Sequence, residues 1–279
     1  MDIKIILDSA NKLLDDSILN YRGEPVGTAA AVDESVEAEN YTECFVRDFV
    51  PSALVFLMDE KYTIVRNFLI MVERIRSQLP VMAGHERALG LMPASFKVPQ
   101  EDGDSITADF GERAIGRVAP VDSAMWWMLI LRAYVLTSGD IKLAQTAEFQ
   151  SSMIMSVRMY LSESFETSPA MLVPDASFMI DRRMGVYGHP LEIQALFYGM
   201  LRTAHDLILP NKENIDLLKN IKKRMQTLRS YVRIYYWLDR ERLNEIHRFR
   251  SEEFGEDAVN LLNIYPESIP EWIDGWVPE

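Results

Sequence analysis

"AMWWMLILRAYVL" (residues 124–136) is apolar on nearly every side of a helix, so it is a helix buried among other elements rather than one laid on a surface. Asp122 and Ser123 precede it as helix caps. Its oiliest run, residues 125–131, stops at Arg132, far short of the roughly 20 residues that span a bilayer. It reads as a helix buried on most sides.

Outward from that helix, apolar residues recur at helical spacing and almost nowhere alternate over strand lengths. Ile6, Ala10, Leu13, Leu14 and Ile18 share a face of a first helix, which "YRGEP" ends at Gly23 and Pro25. Pro51 opens "PSALVFLM", and Tyr62, Val65, Phe68, Leu69 and Val72 mark another helix that stops near Pro80. A charged, glycine-bearing stretch through Asp104 is loop-like. After "TSGD" an amphipathic helix covers residues 149–161. Pro190 begins "PLEIQALFYGMLRTAHDLIL", which Pro210 and Asn211 end, and a lysine-rich helix starts near Ile215. No fixed-period repeat of the solenoid kind is present. The expected fold is an all-α toroid or bundle, as one domain over residues 1–279.

The composition narrows the function. With 279 residues, 48% of them hydrophobic, the chain can bury a large core. Lys+Arg 29 against Asp+Glu 42 gives a net charge of −13, which repels phosphate backbones and anionic lipid, so neither nucleic acid nor membrane is an expected partner. Cys44 is the single cysteine, so no disulfide and no thiolate metal cluster can form within one chain, in keeping with a reducing cytoplasm. The start, "MDIKIILDSANKLL", has an acid before its apolar residues and amphipathic spacing thereafter, unlike a signal peptide. The four histidines, His85, His189, His205 and His247, show no metal-ligand spacing.

Chemistry concentrates in four loops: "ECFVRDFVPS" with Arg47 and Asp48, "MPASFKV", "ADFGERAIGRVAPVDS" with Asp109, Glu112, Arg113, Arg117 and Asp122, and "MIDRRMGVYGHPLEIQ" (residues 179–194). If helices alternate between an inner and an outer ring, loops at one end meet over a central cavity. Carboxylates and guanidinium groups there give fixed hydrogen bonds to hydroxyls and aromatic faces cover sugar C–H surfaces, which suits a polyhydroxyl ligand. Each residue also has a plainer reading: Arg47 and Asp48 as a structural ion pair, Asp122 as an N-cap only, His189 as a satisfied turn residue, Trp126 and Trp127 as core, Cys44 as a small buried group.

The blocks "CFVRDFVPSAL", "MPASFKV", "ADFGERAIGRVAPVDS" followed by "WW", "MIDRRMGVYGHPLEIQ" and "RLNEIHRFRSEEFGEDAVNLLNIYPESIPEW", in this order, resemble the signature blocks of the alkaline/neutral invertases, glycoside hydrolase family 100. The resemblance implies an (α/α)6 barrel that hydrolyses sucrose to glucose and fructose by inversion, with no metal or other cofactor. Asp181 matches the family's general acid. Arg47, Asp48, Asp122, His189 and Glu192 fall in blocks similar to those lining the sugar pocket. Inversion needs an acid and an opposed carboxylate that activates water, roughly 6.5–9.5 Å apart. In the family the base is a glutamate of a later block, and this chain stops at Glu279 before any such block. The expectation is therefore a barrel incomplete on its C-terminal side, in one of two forms. It is either a sucrose hydrolase, active alone or when a C-terminal chain completes it, with a homo-oligomer or that completing chain as its expected protein partner, or a shortened, inactive relative that keeps sugar-binding or interaction surfaces.

Overall fold

Trp127 anchors the helical core. In the computed structural model its ring is fully buried, its indole N–H donates to the Leu69 carbonyl at 3.0 Å, and it packs against Phe149 with centroids 5.3 Å apart. Residues 3–31, 41–76, 89–99, 105–111, 120–163, 165–173, 188–239 and 276–278 are described. They hold eight helices: α1 (Ile3–Asp16), α2 (Phe49–Met58), α3 (Tyr62–Ile75), α4 (Ser123–Ser138), α5 (Ile141–Ala144), α6 (Ala147–Tyr160), α7 (Leu191–Leu207) and α8 (Ile215–Tyr235). The chain forms two compact units, Met1–Met225 and Gln226–Glu279.

In the first unit α4, apolar all round, packs on α2, α3 and α7, and α6 packs on α3 and α7. Phe49 of α2 and Phe68 of α3 have ring centroids 4.2 Å apart, and Phe68 continues the cluster to Phe96. The fold is thus helix-rich, as the periodicity requires. The second unit contributes an antiparallel pair, β8 (Trp237–Asp239) with β9 (Trp276–Pro278), and a cluster of Tyr231 with Tyr235 and Tyr236.

Strands qualify the all-helical expectation. The first helix stops at Asp16, and Ile18 belongs to a hairpin of β1 (Ile18–Tyr21) and β2 (Glu24–Thr28). Arg22 and Gly23, at φ 53° and 80°, make its tight two-residue turn, so "YRGEP" is a strand reversal rather than a helix stop. Five further strands, of two or three residues, complete the first unit's sheets. β3 (Cys44–Phe45), β4 (Ser95–Lys97) and β5 (Thr107–Asp109) form one sheet, and β6 (Glu166–Thr167) and β7 (Ala170–Met171) form a hairpin. In the first sheet, buried Ser95 donates to buried Glu43 at 2.7 Å. Cys44 is fully buried, and burial pushes its thiol far above the ordinary range, so it is the small buried group expected.

A polar brace ties α3 to α6. Arg76, just past α3, donates to Ser152 at 2.7 Å, and Ser152 donates to Glu73 at 3.0 Å. One turn along α6, Ser156 donates to the Gly90 carbonyl at 3.0 Å. Gly90 has φ +94°, and a Cβ there would lie 2.7 Å from the Met155 carbonyl carbon and 2.8 Å from the Ser156 nitrogen, both backbone atoms of a helix that cannot yield. Gly90→Ala combines a left-handed alanine with overpacking, so urea denaturation is expected to show a loss of about 2–4 kcal/mol. A loss below about 0.5 kcal/mol would contradict this contact.

Candidate functional site

β3 pairs with β4, and Val46 extends the pairing through the Ala94 carbonyl at 2.9 Å, so the chain leaves the sheet at Arg47 and enters α2 directly. Asp122 stands at the start of α4. Arg47 meets it in a two-pronged pair, Nε to Oδ2 at 2.6 Å and Nη2 to Oδ1 at 2.9 Å. Asp122 is fully buried and the Arg47 side chain is 13% exposed. The Trp126 indole N–H also donates to Asp122 Oδ2, at 3.2 Å. From α6, buried Tyr160 donates to the Val121 carbonyl at 2.7 Å and fixes the backbone next to Asp122.

Asp122 occupies the N-cap position of α4, but its side chain makes no capping bond. The carboxylate serves Arg47 and Trp126 instead, which corrects the reading of this residue as an N-cap only. A bidentate charge-assisted pair outweighs a single bond to a helix N–H.

Two further carboxyls adjoin the pair. Asp48, at the head of α2, reaches solvent, yet crowding by neighbouring protein raises its pKa; Asp122 adds to the rise and Arg47 opposes it. Glu192, in the first turn of α7, is partly buried, and its pKa is raised by desolvation and then by Asp122, again against Arg47. Residues from three distant parts of the sequence thus act on one another electrostatically, and the first turns of α2, α4 and α7 meet around Asp122. His189, beside Pro190 at the entrance to α7, makes a different contact: its Nε2 lies 2.5 Å from Thr167 Oγ1 on β6.

Asp181 lies outside the described residues, with Arg182, Arg183 and Gly185, as do Glu112, Arg113 and Arg117 of the preceding block. Asp109 is buried and accepts from the Gly111 N–H at 3.1 Å. Among the described residues no group of three or more His, Cys, Asp or Glu could hold a metal ion, and no helix is long and apolar enough to cross a membrane. His205 is a surface residue beside Asp206 at 3.4 Å. Tyr160, Thr167 and Gln194 carry no signal in the sequence, and Trp126, expected in the core, is half-buried and bonded to Asp122. For Trp126 a signal existed: it stands four residues after Asp122, on the same helix face.

Carboxyl and guanidinium groups held side by side in this way can accept from and donate to the hydroxyls of a ligand.

The family model described as alkaline and neutral invertase matches residues 10–279. The probable alkaline/neutral invertase D of Arabidopsis thaliana is 48% identical over 266 residues, covering 94% of this chain and 50% of that protein. The chloroplastic alkaline/neutral invertase E of the same plant is 45% identical, over 99% of this chain and 46% of its own length. The chloroplastic neutral/alkaline invertase 3 of Oryza sativa subsp. japonica is 45% identical, over 97% and 46%. The chain spans about half the length of these relatives. Among solved structures, a rhamnosidase from Klebsiella oxytoca with rhamnose bound is similar at a TM-score of 0.46 and 16% identity, over 71% of this chain and 34% of that one.

Two measurements check the site. Arg47→Ala leaves Asp122 buried without its cation and should cost about 3–5 kcal/mol in denaturant unfolding, whereas a surface pair would cost less than about 1 kcal/mol. Because the fold raises the Glu192 pKa, the native state favours its protonated form. That contribution to stability is present below the ordinary glutamate value of about 4.3 and is lost as pH rises through the raised value. Glu192→Gln removes it, so melting curves should show the variant gaining on wild type between pH 4 and pH 8. A Tm difference that does not change with pH contradicts the assignment.

Proposed function

Since the chain belongs to the alkaline and neutral invertase family, we propose that its polar cluster is the sugar-binding part of a site that hydrolyses sucrose to glucose and fructose with inversion, within an α/α barrel. The observation that carries this is the convergence of Arg47, Asp48, Asp122 and Glu192 at the starts of three helices, of which α2 and α7 each pack on α4. In such a barrel α2, α4 and α7 take the inner ring, and α3, α6 and α8 the outer.

Asp181 is the general acid of this reading. It protonates the glycosidic oxygen as the bond to the leaving sugar breaks, while a second carboxylate, by the resemblance a glutamate of a later block, takes a proton from the attacking water. Arg47, held by Asp122, presents a fixed guanidinium edge; Asp48, Glu192 and His189 bind sugar hydroxyls around it. To hold its proton near neutral pH, Asp181 must be shielded from Arg182 and Arg183, which bind substrate or flanking acids instead. No metal takes part. Cytoplasmic residence belongs to the same proposal, supported by the single, buried cysteine.

Sucrose turnover is measured on the chain alone and on the chain supplied with the half of a full-length relative that it does not span. We expect equimolar glucose and fructose without added metal, faster in the supplied form, with NMR showing the opposite anomer first. Asp181→Asn should lower turnover about 10²–10⁴-fold and leave calorimetric sucrose binding in place. Retained configuration, near-normal turnover in Asp181→Asn, or activity lost to a chelator and restored by a divalent ion would each defeat the mechanism.

A further inference from the structure

Gln194 sits in α7 with its side chain fully buried. Both ends of its amide go to one residue of another element: Oε1 accepts from the Met171 N–H at 2.8 Å and Nε2 donates to the Met171 carbonyl at 2.9 Å. That is the pairing a neighbouring strand would supply, so the side chain acts as a one-residue strand against the β6–β7 hairpin. On the other side of β7 the Leu172 N–H donates to the Phe165 carbonyl at 2.9 Å and continues the β6–β7 ladder.

Two residues beyond Met171, Val173 and Gly188 exchange two backbone hydrogen bonds, at 2.7 and 3.1 Å. The chain leaves this bridge for residues 174–187, which include Asp181, and returns through it to His189, Pro190 and α7. Thr167, in register with Ala170, meets His189 across the same junction. Gln194, Met171, the hairpin, His189 and the start of α7 form a closed ring of contacts.

We propose that Gln194 is a positioning residue that clamps the base from which the Asp181-bearing segment departs. The effect on catalysis rests on reading Asp181 as the acid; the anchoring does not. Leucine at 194 fills the space with neither bond, and glutamate keeps the acceptor but sets a carboxylate oxygen against the Met171 carbonyl.

The test compares Gln194→Leu and Gln194→Glu in the full chain with Met153→Ala, a core change in α6. Trypsin cleavage after Arg182 and Arg183 is followed by mass spectrometry against cleavage after exposed Lys212. The clamp variants should raise the 182/183-to-212 ratio about tenfold or more, the population shift that one or two lost hydrogen bonds produce. Met153→Ala should raise all three rates together. Thr167→Val, exposed and outside the core, is read in the same way and stands in if Gln194→Leu does not fold. In protein that turns over sucrose, kcat should fall tenfold or more, roughly, with KM within about twofold. An unchanged cleavage ratio overturns the clamp. A changed ratio with unchanged kcat overturns the positioning role. A changed ratio in the variants, with a wild type that neither binds nor hydrolyses sucrose, overturns the sucrose reading and leaves the clamp standing.

Discussion

A guanidinium–carboxylate pair with its acid wholly buried is the constraint around which the first unit is arranged. Taking both charges out of water costs several kcal/mol per ion, and the pair is tolerable only if its geometry is fixed and its remaining lone pairs are used. The surroundings meet both conditions: Arg47 approaches in two-pronged fashion, Trp126 takes a further lone pair, and Tyr160 immobilises the preceding carbonyl. Among the described residues the site holds three carboxyls, Asp48, Asp122 and Glu192, to one arginine, Arg47. The first turns of α2, α4 and α7 supply the balancing charge, since each helix N-terminus carries about half a positive charge in exposed N–H groups. That balance is incomplete for Asp48 and Glu192, whose raised pKa values reflect loss of water first and the Asp122 charge second.

The longer helices were legible because a 3.6-residue period shows in them, whereas α5, with four residues, is too short to show one. α3, α6 and α7 fall within a few residues of where the apolar spacing puts them. The strands were not. Cys44 pairs with Phe96 and Ser95 with Asp109, so partners lie far apart in sequence, and segments of two or three residues are too short to display alternation. Ile18 continued the apolar face of the first helix so well that only the paired positive φ values at Arg22 and Gly23 reveal the reversal.

For the site, the sequence gives residue types and the family resemblance gives their grouping, but neither gives the partners. Arg47 and Asp122 stand 75 residues apart, and nothing local says that they meet. Asp122 before a helix has the pattern of a cap, and local pattern misleads when a long-range partner offers more. Gln194 was overlooked for the reverse reason: one amide among apolar residues reads as a lapse in the helix's oily face, although a fully bonded amide is as much a core group as the leucines around it.

The paired serines of α6 have a consequence for how this protein can change over generations. Ser152 and Ser156, one turn apart, grip Arg76 and Gly90, so both ends of the intervening peptide are held to one rigid rod whatever lies between. Closing a longer connection costs little, about 0.6 kcal/mol for each doubling of its length. Insertions between these two anchors are therefore expected to leave the bonds of Arg76, Glu73 and Gly90 to α6 in place. Here a lineage can acquire new surface, a docking motif or a cleavage site, without renegotiating the packing that holds the helices together.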